Sequence, residues 1–185
     1  MAKQNLGART LHDIGLAAWF GGSLMGAVGL NGAAAQADQP GQRAKVANAG
    51  WARWTPVNLA AIGAHLVGGA LLVTANKGRV QGQQGVASTS ALKTALTVAA
   101  LGATAYSRKL GQTAMDAGDP PVAGATEPAS STPPQVAEAQ NRLKILQWAI
   151  PALTAGVVVL SARMGEQQRP AEVARGVLAR LNPAA

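Results

Sequence analysis

Four long stretches of the chain carry no charged side chain, and charged residues gather at their edges. Residues 14–37 give 24 uncharged positions, about 36 Å as a helix, enough for a hydrocarbon core of about 30 Å. Residues 54–76 give 23, opening with Thr55 as a candidate N-cap and Pro56 at the first helical position, where its missing N–H costs nothing. Residues 145–162 give 18. Apolar positions Val136, Ala139, Leu143 and Leu146 carry that pattern back toward Pro133-Pro134, so the helix projects beyond the bilayer. The third stretch, 94–107, has only 14 residues, about 21 Å. Extended back to Val86 it spans, with Lys93 inside and snorkelling to the near interface. The pattern therefore predicts four transmembrane helices. The alternative makes the third an interfacial helix and leaves three spans.

The fold expected is an all-α integral membrane protein, an antiparallel four-helix bundle in four parts. Residues 1–110 hold the first three helices. Residues 111–134, rich in Pro, Ala and Ser without apolar periodicity, read as a disordered linker. Residues 135–169 form the long fourth helix, and residues 170–185 an amphipathic tail. In that tail Val173, Val177 and Leu181 share a face apart from Arg175 and Arg180, the signature of an interfacial helix. Anionic lipids would add about 1 kcal/mol per nearby Arg. A signal peptide is the competing reading of the N-terminus, with Ala35-Gln36-Ala37 as the cleavage pattern. The apolar run exceeds the usual signal core, so retention is expected.

Composition adds the mode of packing. The 185 residues include 41 Ala and 22 Gly but only one Phe, one Tyr and four Trp. Small side chains bury little area in water, yet they let helices approach closely in lipid. Gly15, Gly22, Gly26 and Gly29 fall near one face of the first helix. Ala64 and Gly68 offer a seam on the second, Ala95 and Ala99 (with Ala91 and Ala103) on the third, and Ala152 and Gly156 on the fourth. Pro151 inside the fourth span predicts a kink. On this reading the glycine seam carries self-association, and Gly26→Leu weakens assembly while sparing insertion.

The charge sets orientation and excludes some partners. Lys and Arg total 16 against 8 Asp and Glu, a formal net charge of +8. With four spans, nine basic residues lie on the side of the termini and seven on the other, which favours both termini in the cytoplasm of a plasma-membrane protein. The basic residues are spread over every loop without an aromatic-basic strip, so no nucleic-acid partner is expected. Trp51 and Trp54, beside Arg43, Lys45 and Arg53, are expected as interface anchors in a loop on the membrane surface. The glycine-rich run at 78–85 lacks the Gly-Lys-Ser/Thr ending of a phosphate loop.

Candidate chemistry is sparse. The absence of cysteine excludes disulfides and thiolate catalysis. No Gly-x-Ser-x-Gly elbow is present, no convergent metal ligands are evident, and neither an enzyme nor a cofactor is expected. His65 is the possible polar centre near mid-bilayer. It is read as a neutral imidazole bonded to a neighbouring helix, tolerant of Gln, against a proton carrier or haem ligand. His12 is placed about 15 Å shallower, which argues against a bis-histidine pair. Thr10 to Asp13 reads as a capping box that starts the first helix. Leu11-His12-Asp13-Ile14-Gly15-Leu16-Ala17-Ala18-Trp19-Phe20-Gly21-Gly22, Trp51-Ala52-Arg53-Trp54-Thr55-Pro56 and Gly165-Glu166-Gln167-Gln168-Arg169-Pro170 together resemble an uncharacterised family of small mycobacterial and related actinobacterial transmembrane proteins. The resemblance implies a four-helix plasma-membrane protein and no catalytic residue. The function expected is a non-catalytic membrane protein, a homo-oligomer or an accessory subunit that partners lipid and other membrane subunits or itself. The alternative is a small transporter, channel or redox-linked protein centred on His65.

Overall fold

The computed structural model describes residues 5–181; Lys3 of the basic count and residues 182–185 of the tail lie outside them. Four long helices dominate: α1 (Leu6–Ala35), α2 (Pro40–Ala75), α3 (Val86–Asp116) and α4 (Pro134–Glu166). A short helix, Lys77–Gly82, joins α2 to α3, and α5 (Pro170–Leu181) follows α4. All four long helices, α3 with Lys93 included, are long and apolar enough to cross a membrane. Consistent with a multi-pass membrane protein, many of their large apolar side chains point outward, among them Ile145, Leu59 and Val159.

The helix starts differ from expectation. α2 begins at Pro40 and passes through Pro56 without ending. The reason is a stripe at alternating four- and three-residue spacing, Ala44, Ala47, Trp51, Trp54, Asn58, Ala61, His65 and Gly68. It runs unbroken past the proline and faces α1. Thr55 is therefore no cap; its hydroxyl donates to the Trp51 carbonyl at 2.8 Å. α1 begins at Leu6, which puts Thr10 inside the helix and removes the capping box. α4 does start at Pro134, with Pro at the first turn.

α1 lies along α2 and against α4, α3 lies along α4, and α2 and α3 barely touch. Trp19, Ile62 and Ala100 meet at the centre, with Leu101 and Leu153 against them. The glycines of α1 receive tryptophans of the same chain. A Cβ at Gly22 would overlap the Trp54 indole, and one at Gly26 the Trp51 indole. Trp51 and Trp54 thus anchor α2 to α1 and are not in a surface loop. Gly29 is exposed and meets only Met25 of its own helix. Gly26→Leu must therefore displace Trp51 within one chain. It is expected to lower the melting temperature of the detergent-solubilised monomer by roughly 5–10 °C, while Gly29→Ala leaves it unchanged.

On the other helices, Gly68 is buried against α1, and Gly156 faces Leu96 of α3, whose Cδ1 would lie 2.9 Å from an added Cβ. Ala64 is half-buried. Ala95, Ala99 and Ala152 are exposed, so they form no buried seam within this chain. The face of α3 that packs carries Thr89, Leu96 and Ala100 instead, one residue out of phase with the alanine stripe.

At the end where α1 meets α2 the helix loosens into a π turn, Gly26–Leu30. Asn31 follows it, buried, accepting from Trp51 Nε1 at 2.9 Å and donating to Gln147 Oε1 at 2.9 Å. Gln147 in turn donates to Thr126 at 3.2 Å. The segment expected as a disordered linker divides differently. α3 continues to Asp116, and residues 117–133 form a hydrogen-bonded cap over this end. Val122, Thr126 and Thr132 are buried. Thr132 donates to the Pro121 carbonyl at 2.6 Å, and Gln140 to the Gly124 carbonyl at 3.0 Å. Arg43 ties α2 to the same cap through the Ala123 carbonyl. At the other end α5 docks through Gly176, whose carbonyl accepts from the Gln84 amide at 3.1 Å, leaving Val177, Leu178 and Leu181 exposed.

Candidate functional site

The site grows from a contact that only glycine permits. Gly15 stands against the backbone of Ala61 and His65, and Gly68 against the backbone of Ala8 and His12. Each glycine lies one turn beyond a histidine of its own helix, in His12-Asp13-Ile14-Gly15 and His65-Leu66-Val67-Gly68. In antiparallel helices the two segments become reciprocal: the glycine of each receives the histidine backbone of the other. The imidazoles are thereby brought together, ring centroids 4.3 Å apart at 44°, and both are buried.

The depth difference expected between His12 and His65 is therefore absent. It rested on a second helix starting near Pro56. With α2 starting at Pro40 and ending at Ala75, His65 stands ten residues from the end that packs beside the start of α1. The rings are in contact, so no gap is left between them for a haem. The sequence signal that carries the pairing is the matched His-x-x-Gly on both helices.

Charged partners then fix the protons. Lys93 of α3 places Nζ 2.8 Å from His12 Nε2, and Asp13 places Oδ1 2.7 Å from His12 Nδ1. An ammonium only donates and a carboxylate only accepts. His12 is thus assigned as the neutral tautomer with its proton on Nδ1, donating to Asp13 and accepting from Lys93. His65 Nδ1 lies 3.2 Å from the His12 carbonyl, so it donates there and Nε2 keeps its lone pair. Trp19, fully buried, sets its ring edge-on to His65 at 6.1 Å and donates through Nε1 to Thr104 at 3.2 Å. Lys93 does not snorkel away from the bundle; it turns inward to His12. His65 is hydrogen-bonded to a neighbouring helix, as read from the sequence, while His12 is the wired member of the pair.

A cavity of about 300 Å³ opens beside these residues, where α2 and α3 diverge. Leu66, Val73 and Val98 are among its apolar lining residues, and Arg9, Arg79 and Lys93 are its cations, the first two near the helix ends and Lys93 seven residues into α3. Arg9 is held by Gln168 at 2.8 Å, and Arg79 by the Gln167 carbonyl at 2.8 Å. Burial, and to a lesser degree the like charge of Arg9, lower the pKa of Arg79 from its ordinary value. Leu101, which packs on the Trp19, Ile62 and Ala100 cluster, lines the cavity. Among the described residues no group of three His, Asp or Glu is placed to hold a metal ion. In comparisons with known proteins, no family model, curated protein or solved structure matches the chain.

Proposed function

We propose that the protein is a small proton-linked transporter of the plasma membrane, with both termini in the cytoplasm, that holds its solute in the cleft between α2 and α3. The observation that carries this reading is the continuous line from Asp13 through His12 to Lys93. Ionisable groups within a membrane span are costly and mark proton or substrate paths. Here an exposed carboxylate and an inward ammonium are bridged by one imidazole beside a cavity. One transfer balances as follows. Lys93 gives a proton to His12 Nε2 as the Nδ1 proton passes to the Asp13 carboxylate. Lys93 and Asp13 end neutral, and His12 ends as the other neutral tautomer.

The remaining parts support location. The nine-to-seven distribution of basic residues favours cytoplasmic termini. α5, with Arg175 and Arg180 beside Val177 and Leu181, rests on the anionic leaflet. Assembly with itself or other subunits has weaker support, because Trp54 and Trp51 of the same chain fill the surface at Gly22 and Gly26.

The test is proton flux in proteoliposomes, with a cysteine at Ser131 reporting orientation in an otherwise cysteine-free chain. Under an imposed potential the wild type is expected to move protons. His12→Gln, whose amide still bridges Asp13 and Lys93 but relays no proton, is expected to lose at least about tenfold of that rate. Equal flux in the two, or none in the wild type, overturns the proposal.

A further inference from the structure

We infer that the α2–α3 cleft binds a single-chain carboxylate amphiphile, its headgroup at Lys93 and Arg9 and its hydrocarbon chain along Leu66, Val98 and Leu101. The inference rests on the reading of the cleft as a solute site and names the solute class. Charge complementarity comes first. Arg9, Arg79 and Lys93 face Asp13 alone among charged cavity residues, a formal balance of three against one with both imidazoles neutral. Lys93 spends one of its three N–H donors on His12, leaving two for an acceptor. Ser90, one turn from Lys93 and in the same wall, has a buried hydroxyl with no hydrogen-bond partner. A carboxylate, with two oxygens and about four acceptor sites, satisfies both groups and a guanidinium together.

The walls give the rest of the ligand. Further along α3 than Lys93 the cavity is lined by Leu66, Val98 and Leu101, and it opens sideways between two helices that barely touch. Leu66 and Val98 are more than two-fifths exposed there, although they line the cavity. A hydrophilic anion would leave those walls unpaired. About 300 Å³ lies at the small end of ligand pockets, which suits one chain over the two of a phospholipid. Lateral opening lets the tail enter from the bilayer while the head stays at Lys93 and Arg9.

Binding of palmitate to the full chain in non-ionic detergent, followed by native mass spectrometry, tests this directly. One palmitate per chain is expected, bound at least tenfold more tightly than hexadecanol, which has the same chain without the charge. Lys93→Met and Arg9→Gln should each weaken palmitate at least tenfold, whereas Lys109→Met, on the far part of α3, should not change it. Equal retention of palmitate and hexadecanol, wild-type binding by Lys93→Met and Arg9→Gln, or no palmitate bound would each overturn the inference. Preference for phosphatidic acid would overturn it too, by assigning the cleft to a phospholipid headgroup. Palmitate binding without proton flux would refute the transporter and keep the site; flux without palmitate binding would do the reverse.

Discussion

Gly68→Val is expected to lower the melting temperature by about 10 °C or more, followed by circular dichroism in detergent. The atoms that meet the new side chain are backbone on α1: the Ala8 carbonyl oxygen at 2.5 Å and the His12 Cα at 2.9 Å from Cβ, with the His12 amide nearer still. No rotamer change can clear them, so the two helices must separate. Overpacking costs about 1–3 kcal/mol where side chains can yield, and here they cannot. At roughly 2–4 °C per kcal/mol for a chain of this length, the shift is large. Separation also parts the two imidazoles. Gly63→Ala, five residues earlier on α2 with nothing within 4 Å of the added carbon, is the matched control and should melt like the wild type. Equal melting of Gly68→Val and Gly63→Ala would mean that α1 and α2 do not approach as closely as described.

The second large effect is an asymmetry between the partners of one hydrogen bond. His12→Leu removes the acceptor and leaves the Lys93 ammonium unpaired inside the bundle. An unpaired cation within a span costs about 2.5–3.5 kcal/mol by insertion scales, so a loss of about 2–3 kcal/mol is expected. Lys93→Met removes the charge itself and leaves a neutral imidazole still bonded to Asp13, so it should be close to neutral. The double variant should then recover most of what His12→Leu loses, giving a coupling energy of about 1–2 kcal/mol in a double-mutant cycle. Equal losses for the two single variants, or a double variant that simply adds them, would show that the Lys93 amine does not rest on His12.

Much of this arrangement is legible in the sequence, and the portion that is not has a definite cause. The first, second and fourth spans follow from charge-free length, because crossing about 30 Å of hydrocarbon is a requirement on each segment alone; the third, with 14 uncharged residues, follows only when it is extended back through Lys93. The start of α4 follows from Pro134. Pairing is a property of two segments, and it turns on where α2 begins. Reading Pro56 as a first-turn proline shortens α2 by sixteen residues. That moves His65 toward mid-bilayer, sends Trp51 and Trp54 to a loop, and hides the His12 contact. The unbroken stripe from Ala44 to Gly68 contains the correct answer, but Arg43, Lys45 and Arg53, which lie off that stripe, dominate a hydropathy reading. Similarly, the helical spacing of Ala95 and Ala99 is real yet faces outward, since alanine fits a packed seam and an outer surface alike.

The π turn at Gly26–Leu30 lies between two polar centres, and so it sets what a change of chain length would do. A π turn holds one residue more than the regular helix it interrupts, and each residue of a regular helix turns the next by about 100°. Loss of one residue anywhere within 26–30 closes the π turn into a regular one of nearly the same angular sweep, so His12 and Trp19 before it and Asn31 after it keep their facing, and the helix shortens by about 1.5 Å. For α1, then, the turn is a reserve of length: a deletion within it is expected to leave the capped end and the histidine end connected, where one lost from a regular helix would turn everything beyond it by about 100°.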